Sequence, residues 1–309
     1  MLANFLNKSK PINFIGLTVF FFLGYLSYLF RLFSSKEFSF NTLLESILLL
    51  ALFIVIFFIF NFIMVKNRLT FDNSYAFFFF ILLTFCMLPV IANYKVLILF
   101  VIYLLFVRKI YSLRSVNKVL EKLFDAGLWL GILFILDSRT LIFVPLIYAA
   151  IYIHHKITIH TTLVPVVGFA TPLFIYFTYN FWYDKTEEFT NLFEPNFSLN
   201  FDFYTNSKYL LLITILLVLS FVSLIFKSLK TLTINNTFRR NWVLLIIHTL
   251  IAIIYLFFVA DKNGSETIYI LFTIAIILAN GIEMITKKLF KNIALYLMIF
   301  CAIGFYIIL

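Results

Sequence analysis

The sequence predicts an all-α protein, a polytopic transmembrane helical bundle. Apolar residues make up 63% of the 309-residue chain and charged residues only 12%, about half the charged fraction of ordinary soluble proteins. The apolar residues are grouped into runs, several of which reach the ~20 residues needed to span a bilayer. Short polar segments separate the runs, so we expect a single integral membrane domain over residues 1–309.

The apolar runs predict about eleven membrane crossings when each is judged against the length of a bilayer core. In chain order they cover residues 12–32, 43–64, 75–91, 96–107, 126–136, 141–153, 157–182, 209–226, 242–259, 267–285 and 292–309. We expect the first run to be an uncleaved helix because no small-residue cleavage site follows it. The two runs within residues 126–153 are short, so this stretch is either two short crossings or a re-entrant hairpin.

Lysine and arginine residues are distributed unevenly between the two sides of the predicted bundle. A cytoplasmic N-terminus places roughly 17 of the 24 Lys and Arg residues in cytoplasmic segments. This bias predicts a bacterial inner-membrane protein with a periplasmic C-terminus and a main periplasmic loop at residues 183–208. It also explains the net charge of +10 without a nucleic-acid partner. Among the few cytoplasmic acids, Glu283 is expected to pair with Lys287 one turn on.

Residues 108–124 have the pattern of an amphipathic helix on the cytoplasmic surface. Apolar residues recur there at steps of three and four, and charged residues occupy the opposite face. Such a helix lies along the bilayer and meets anionic lipid headgroups. The cations expected at this membrane surface are Arg108, Lys109, Arg114, Lys118 and Lys122.

Charged residues on the predicted periplasmic side are the candidates for chemistry. In a re-entrant hairpin, Asp137 and Arg139 would lie at membrane depth, where charged groups indicate function. In the simpler interpretation they form a local ion pair in a periplasmic turn. Because a carboxylate can act as a general base and an arginine can hold a phosphate, we predict two roles. Asp137 and Glu37 are candidate catalytic residues, and Arg139 and Arg31 are candidate substrate-binding residues.

The histidines and cysteines predict neither a metal site nor a cofactor. His154, His155 and His160 lie near the cytoplasmic boundary, while His248 lies inside a different apolar run. They have no HxxxH spacing and no accompanying carboxylate-rich helix. The two cysteines lie far apart in apolar runs, without a CxxC motif.

Two features within the apolar runs concern helix packing. Gly127 and Gly131 form a GxxxG pattern, which lets helix backbones approach closely. Pro165 and Pro172 lie seven residues apart on one helix face and are expected to kink it. Kinks free backbone carbonyls that bind ligands in the broken helices of transporters, although a plain kink is the simpler interpretation.

The segment LFDAGLWLGILFIL, together with the basic stretch before it, resembles an uncharacterised family of multi-pass inner-membrane proteins from Bacteroidota. More distantly, the layout is similar to membrane glycosyltransferases and polysaccharide polymerases that use polyprenyl-phosphate-linked sugars. This resemblance implies a role in cell-envelope biogenesis and a polyprenyl-phosphate-linked saccharide substrate at the periplasmic face. The first outer loop departs from those enzymes because Glu37 is its only acid and no Asp-x-Asp motif is present. Two alternatives are a non-enzymatic subunit or scaffold with a membrane-protein partner, and a transporter.

Overall fold

The computed structural model describes residues 1–35, 39–194, 200–205, 207–231, 236–259 and 262–308. These described residues form helices and turns without any strand, which confirms the predicted all-α class. The helices are α1 (Leu2–Leu6), α2 (Pro11–Ser35), α3 (Phe40–Asn67), α4 (Tyr75–Cys86), α5 (Leu88–Ile91), α6 (Tyr94–Ser112), α7 (Val119–Leu136), α8 (Val144–Ile153), α9 (Ile159–Trp182), α10 (Thr186–Thr190), α11 (Asp202–Thr205), α12 (Ser207–Thr231), α13 (Asn236–Phe258), α14 (Ile268–Met284) and α15 (Lys288–Ile308). Short 3-10 helices cover Ser138–Phe143, Asn191–Phe193 and Ser265–Thr267.

The chain is a multi-pass membrane protein by the length and composition of its helices. Within the described residues, seven helices are long and apolar enough to cross a membrane, namely α2, α3, α9, α12, α13, α14 and α15. Two shorter apolar helices cover Tyr75–Cys86 and Ser138–Ile153. The predicted total of about eleven crossings also counts α6 and α7, and it stays a prediction together with the orientation of the termini.

The helices form two compact units, each built from separated parts of the sequence. Unit 1 comprises Met1–Ile98, Phe201–Ile234 and Lys262–Leu309. Unit 2 comprises Leu99–Asn200 and Asn235–Asp261. The sequence predicts one membrane domain over residues 1–309. The structure groups the contacts of that range into these two units, within which helices distant in sequence pack together.

The core of unit 1 is built around two helices that are apolar on every side. All 12 residues of α4 are buried, as are the α14 residues from Ile268 to Asn280. A helix without a polar face must be surrounded by others, and α4 contacts α2, α3, α14 and α15. The predicted run 75–91 breaks at Met87 because Pro89, in the first turn of α5, cannot continue the ladder of backbone hydrogen bonds.

In unit 2, the helices α7 and α9 pack with their backbones in close approach. A Cβ added at Gly127 would lie 2.1 Å from the carbonyl oxygen of Pro165, and one added at Gly168 would lie 2.2 Å from that of Phe124. Only glycine fits at such positions, so the GxxxG pattern of α7 serves helix packing, as predicted. The helix α9 continues through both Pro165 and Pro172.

The amphipathic helix predicted over residues 108–124 is not one continuous helix. The helix α6 ends at Ser112, a turn follows, and α7 begins at Val119. The hydroxyl of Ser112 donates to the carbonyl of Lys109 at 2.7 Å, and serine bonds of this kind compete with helical backbone bonding. Lys118 then adopts a left-handed backbone with φ of 55°, which ends the turn. The placement of this stretch on a membrane surface stays a prediction.

The two arms around Asp137 are longer than their apolar runs suggest. The helix α7 has 18 residues, or about 27 Å at 1.5 Å per residue, because it starts within the charged stretch before residue 126. The return arm consists of the 3-10 helix Ser138–Phe143 followed directly by α8. Each arm reaches most of the way across a ~30 Å hydrocarbon core. These lengths favour two short crossings over a re-entrant hairpin.

The segment predicted as the main periplasmic loop, residues 183–208, contains α10 and α11 in its described part. Near its end, the hydroxyl of Tyr204 donates to the carboxylate of Glu266 at 2.5 Å. The ammonium of Lys262 lies 4.4 Å from the ring centroid of Phe201. Burial and the neighbouring Glu266 carboxylate raise the pKa of Tyr204, so its phenol keeps the proton that holds this contact. Within unit 1 the end of the loop is thus fixed to the segment before α14.

Candidate functional site

Asp137 lies between α7 and the return arm, and its carboxylate binds two other side chains. The oxygen Oδ1 accepts hydrogen bonds from Nε of Arg139 at 2.7 Å and from the Arg139 backbone N–H at 3.2 Å. The oxygen Oδ2 accepts a hydrogen bond from the hydroxyl of Tyr255 at 2.7 Å. The side chain of Asp137 is only 9% exposed and that of Arg139 26% exposed. The structure therefore brings together two of the predicted site residues and adds Tyr255, which sequence reasoning missed.

Local backbone geometry fixes Asp137 in this position. Its extended backbone and its bond to the Arg139 N–H make it the N-terminal cap of the 3-10 helix, a position that favours aspartate. The buried hydroxyl of Thr140 donates to the Asp137 carbonyl at 2.8 Å. A carboxylate held by three donors is suited to orient Arg139 rather than to take a proton from a substrate. The geometry therefore favours a positioning role for Asp137 over the predicted catalytic one.

His248 lies about two turns before Tyr255 on α13 and is completely buried between two tyrosines of α6. Its Nε2 is hydrogen-bonded to the hydroxyl of Tyr103, and its Nδ1 lies 3.1 Å from the hydroxyl of Tyr111. Each nitrogen of a neutral imidazole needs one partner, as donor or acceptor, and these two hydroxyls supply both. Among the described residues, no three His, Cys, Asp or Glu side chains lie close enough to hold a metal ion.

The two clusters form one column because they share the ring of Phe143. The centroid of this ring lies 5.0 Å from that of Tyr103, 5.4 Å from that of Tyr255 and 6.4 Å from that of His248. On α13, Asn241, His248 and Tyr255 are all buried and recur every seven residues, which puts them on one helix face. This repeat of polar residues in an apolar helix was the sequence signal that could have revealed the column.

The other two predicted site residues are Arg31 and Glu37. Arg31 belongs to unit 1, where its Nη1 donates to the carbonyl of Tyr306 at 3.2 Å. Its guanidinium carbon also lies 4.8 Å from the centroid of the Tyr306 ring. Glu37 lies outside the described residues.

The predicted membrane-surface cations lie around the turn between α6 and α7. Arg108 is exposed in the last turns of α6, and Lys109 nearby forms an ion pair with Asp125. Lys118 forms an exposed ion pair with Glu121 at 3.0 Å. Lys122 donates to the backbone carbonyl of Ser112 at 2.9 Å and therefore helps to hold the turn. The fifth cation, Arg114, belongs to the turn itself.

His154, directly after α8, is a buried polar residue in cationic surroundings. Its side chain is 6% exposed, and in the described part of the chain its Nε2 has no hydrogen-bond partner. Burial lowers its pKa to about 4, and the charges of Arg240, Lys156, Arg114 and His155 add to this effect. His154 is therefore neutral at pH 7.

Over residues 1–309 the chain matches a protein family described as a family of unknown function, DUF6427. The chain belongs to this family. Comparison with curated proteins and with solved structures found no match. The family agrees with the predicted resemblance to uncharacterised membrane proteins, whereas no match supports the more distant similarity to glycosyltransferases and polymerases.

A buried ion pair in unit 1 of this DUF6427 member was not predicted. The ammonium of Lys227 on α12 lies 2.7 Å from the carboxylate of Glu283 on α14, and the two side chains are 1% and 7% exposed. Glu283 also accepts hydrogen bonds from the backbone N–H of Phe71 at 3.0 Å and from Nδ2 of Asn73 at 2.5 Å. The predicted pairing of Glu283 with Lys287 is therefore wrong, because α12 places Lys227 directly against the carboxylate.

Proposed function

We propose that this DUF6427 member binds a lipid-linked saccharide through its phosphate at Arg139, as a bacterial inner-membrane protein of cell-envelope biogenesis. In this proposal the N-terminus is cytoplasmic and the C-terminus periplasmic, so that the ligand meets the chain at the periplasmic end of α7. The observation that carries the proposal is the cluster of Asp137, Arg139 and Tyr255. An arginine whose plane is fixed by a nearly buried carboxylate suits recognition of a phosphate.

The chemistry of a held arginine suits a phosphate. A guanidinium presents five N–H donors in a planar fork that matches the oxygens of a phosphate. Asp137 accepts from Nε of Arg139 and so fixes the plane of the fork. Tyr255 donates to the other carboxylate oxygen, so each oxygen of Asp137 accepts a hydrogen bond from a different side chain. With its side chain 26% exposed, Arg139 is accessible to a ligand headgroup.

An aromatic surface near the cluster supports an amphiphilic ligand. Phe134 lies one turn before Asp137 on α7, and its ring centroid lies 5.5 Å from that of Phe169 and 5.4 Å from that of Phe193. Phe193, between α10 and the end of the described loop, is 57% exposed. Phe134 itself is buried, so the exposed ring of Phe193 is the one that offers flat apolar area to a sugar ring or an acyl chain.

The test is complementation of a deletion strain under envelope stress, with protein levels checked by immunoblot. Arg139→Lys keeps the charge but loses the planar fork, so we expect it to fail to complement at normal abundance. Asp137→Asn should also fail because Arg139 loses its orienting partner. The matched control is Arg108→Lys, an exposed arginine of the same unit, which should complement fully. Full complementation by both site variants would overturn the proposal.

A second candidate function, transport of protons across the membrane, is favoured by the buried column around His248. A histidine bonded through both nitrogens to Tyr103 and Tyr111 is an arrangement that can pass protons inside a membrane. The test is proton entry into proteoliposomes under an imposed potential, followed with an internal pH dye. Transport predicts entry that His248→Phe abolishes, and equal rates in protein-free liposomes would contradict it.

A further inference from the structure

Unit 1 contains a groove with apolar walls and a cationic end. We call it the α2–α3 groove, and it is defined here by Lys10, Phe14, Phe58, Phe62, Lys66 and Phe77. Its volume is about 550 Å³, within the range of about 300–1,000 Å³ for ligand sites. It lies where the beginning of α2 meets the end of α3, and α4 contributes Phe77 to its wall.

The cationic end of the groove coincides with the ends of two membrane-spanning helices. Lys10 directly precedes α2, and Lys66 is the penultimate residue of α3. Both side chains are exposed, and neither forms an ion pair within the described ranges of the chain. The part of the groove wall that the structure describes contains no acidic residue. Two uncompensated positive charges therefore lie where a spanning helix reaches the headgroup level of a bilayer.

The body of the groove is apolar and extends along the helices toward the membrane interior. Phe58, slightly more than two turns before Lys66, is 64% exposed, and Ile15 on the facing helix is 60% exposed. The rings of Phe14 and Phe77 stack with their centroids 4.8 Å apart and form a solid wall. Large apolar side chains that are exposed on a membrane-spanning helix need contact with hydrocarbon, either of the bilayer or of a bound lipid.

We propose that the α2–α3 groove binds an anionic phospholipid of the surrounding bilayer. The phosphate headgroup lies between Lys10 and Lys66, and one acyl chain lies against Phe14, Phe58 and Phe62. Charge complementarity at the end and apolar complementarity along the body select an amphiphile with a negative head. In the predicted orientation the site faces the cytoplasmic leaflet, where anionic headgroups attract juxtamembrane cations. The proposal concerns unit 1 alone and does not rest on the function proposed for Arg139.

The experiment is native mass spectrometry of the purified chain titrated with phosphatidylglycerol or with phosphatidylcholine of the same acyl chains. We expect retention of phosphatidylglycerol, and we expect the double variant Lys10→Gln/Lys66→Gln to bind it roughly thirtyfold more weakly. Binding of phosphatidylcholine should be the same in both proteins. A charge-retaining variant, Lys10→Arg/Lys66→Arg, should keep the preference and shows that the chain still folds. Ile15→Trp, which narrows the groove and keeps both lysines, should weaken both lipids.

The matched control is Lys287→Gln/Lys288→Gln, which removes two exposed charges from the same unit outside the groove. Retention of phosphatidylglycerol by this control supports a site at Lys10 and Lys66. Equal weakening in both double variants would overturn the proposal, because it would show attraction to surface charge in general. Unchanged binding in Lys10→Gln/Lys66→Gln would also overturn it.

Discussion

The hydroxyl of Tyr255 donates a hydrogen bond of 2.7 Å to the carboxylate of Asp137, although 118 positions separate the two residues in the chain. The bond joins the end of α13 to the junction between α7 and its return arm. It therefore couples the residue that orients Arg139 to the helix that carries the buried His248.

Removing this hydroxyl should weaken unit 2 and lower phosphate binding. We expect Tyr255→Phe to lose about 1 kcal/mol of stability, the usual net value of one hydrogen bond, and to bind a phosphate-bearing lipid less tightly. The measurements are thermal unfolding in detergent and lipid retention. The control is Tyr148→Phe, since this tyrosine is 38% exposed and its hydroxyl donates to the Thr162 carbonyl over a longer distance of 3.4 Å. Equal behaviour of the two variants would contradict the coupling.

Replacing glycine by alanine should lower thermal stability in α7 but not in α15. Gly127→Ala puts a Cβ 2.1 Å from the Pro165 carbonyl oxygen, so α7 and α9 must separate and thermal stability should fall. At Gly304 a Cβ would meet none of the described residues within 4 Å, so Gly304→Ala should be neutral or should stabilise α15 by up to ~1 kcal/mol. Equal melting temperatures for the two variants would argue against close packing of α7 on α9.

The buried pair of Lys227 and Glu283 should behave as a coupled unit. Lys227→Met leaves a buried carboxylate without its cation and should cost about 3–5 kcal/mol. Adding Glu283→Gln removes that charge and keeps an acceptor for Asn73 and the Phe71 N–H. The double variant should therefore be more stable than Lys227→Met alone in a chemical-denaturation cycle. Strictly additive losses would show that the two side chains do not interact.

Stability should fall as the pH is lowered through the range in which His154 resists protonation. Its pKa in the folded chain is about 4 against an ordinary value of 6.5, so the unfolded chain binds a proton that the folded chain does not. The free energy of unfolding therefore decreases as the pH falls from about 6.5 to about 4. The neighbouring groups that act on the His154 ring are Arg240, Lys156, Arg114 and His155. Thermal unfolding from pH 7.5 to pH 4.5 should be flatter for His154→Gln, and identical pH profiles would exclude this origin.

Features that depend on local sequence were predictable. The apolar runs predicted the helical class, the Gly127 motif predicted close packing, and the juxtaposition of Asp137 and Arg139 predicted an ion pair. The break at Ser112 was missed because hydrophobic periodicity continues through a turn that serine and lysine bonds stabilise. Lys227 was missed because its partner Glu283 lies on a helix far away in the chain. The seven-residue repeat on α13 marks Tyr255 as one of the polar residues on a single helix face, but it does not show that Asp137 is its partner.

Native mass spectrometry of the protein purified from its own membrane tests the central claim most directly. The account predicts that the wild-type chain retains a species with the mass of a phosphate-linked polyprenyl saccharide, and that Arg139→Lys loses it at unchanged abundance and fold. Lys10→Gln/Lys66→Gln should keep that species, because its charges lie in unit 1. Retention of the same species by Arg139→Lys, or its absence from the wild-type chain, would contradict the assignment of Arg139 as the phosphate-binding residue.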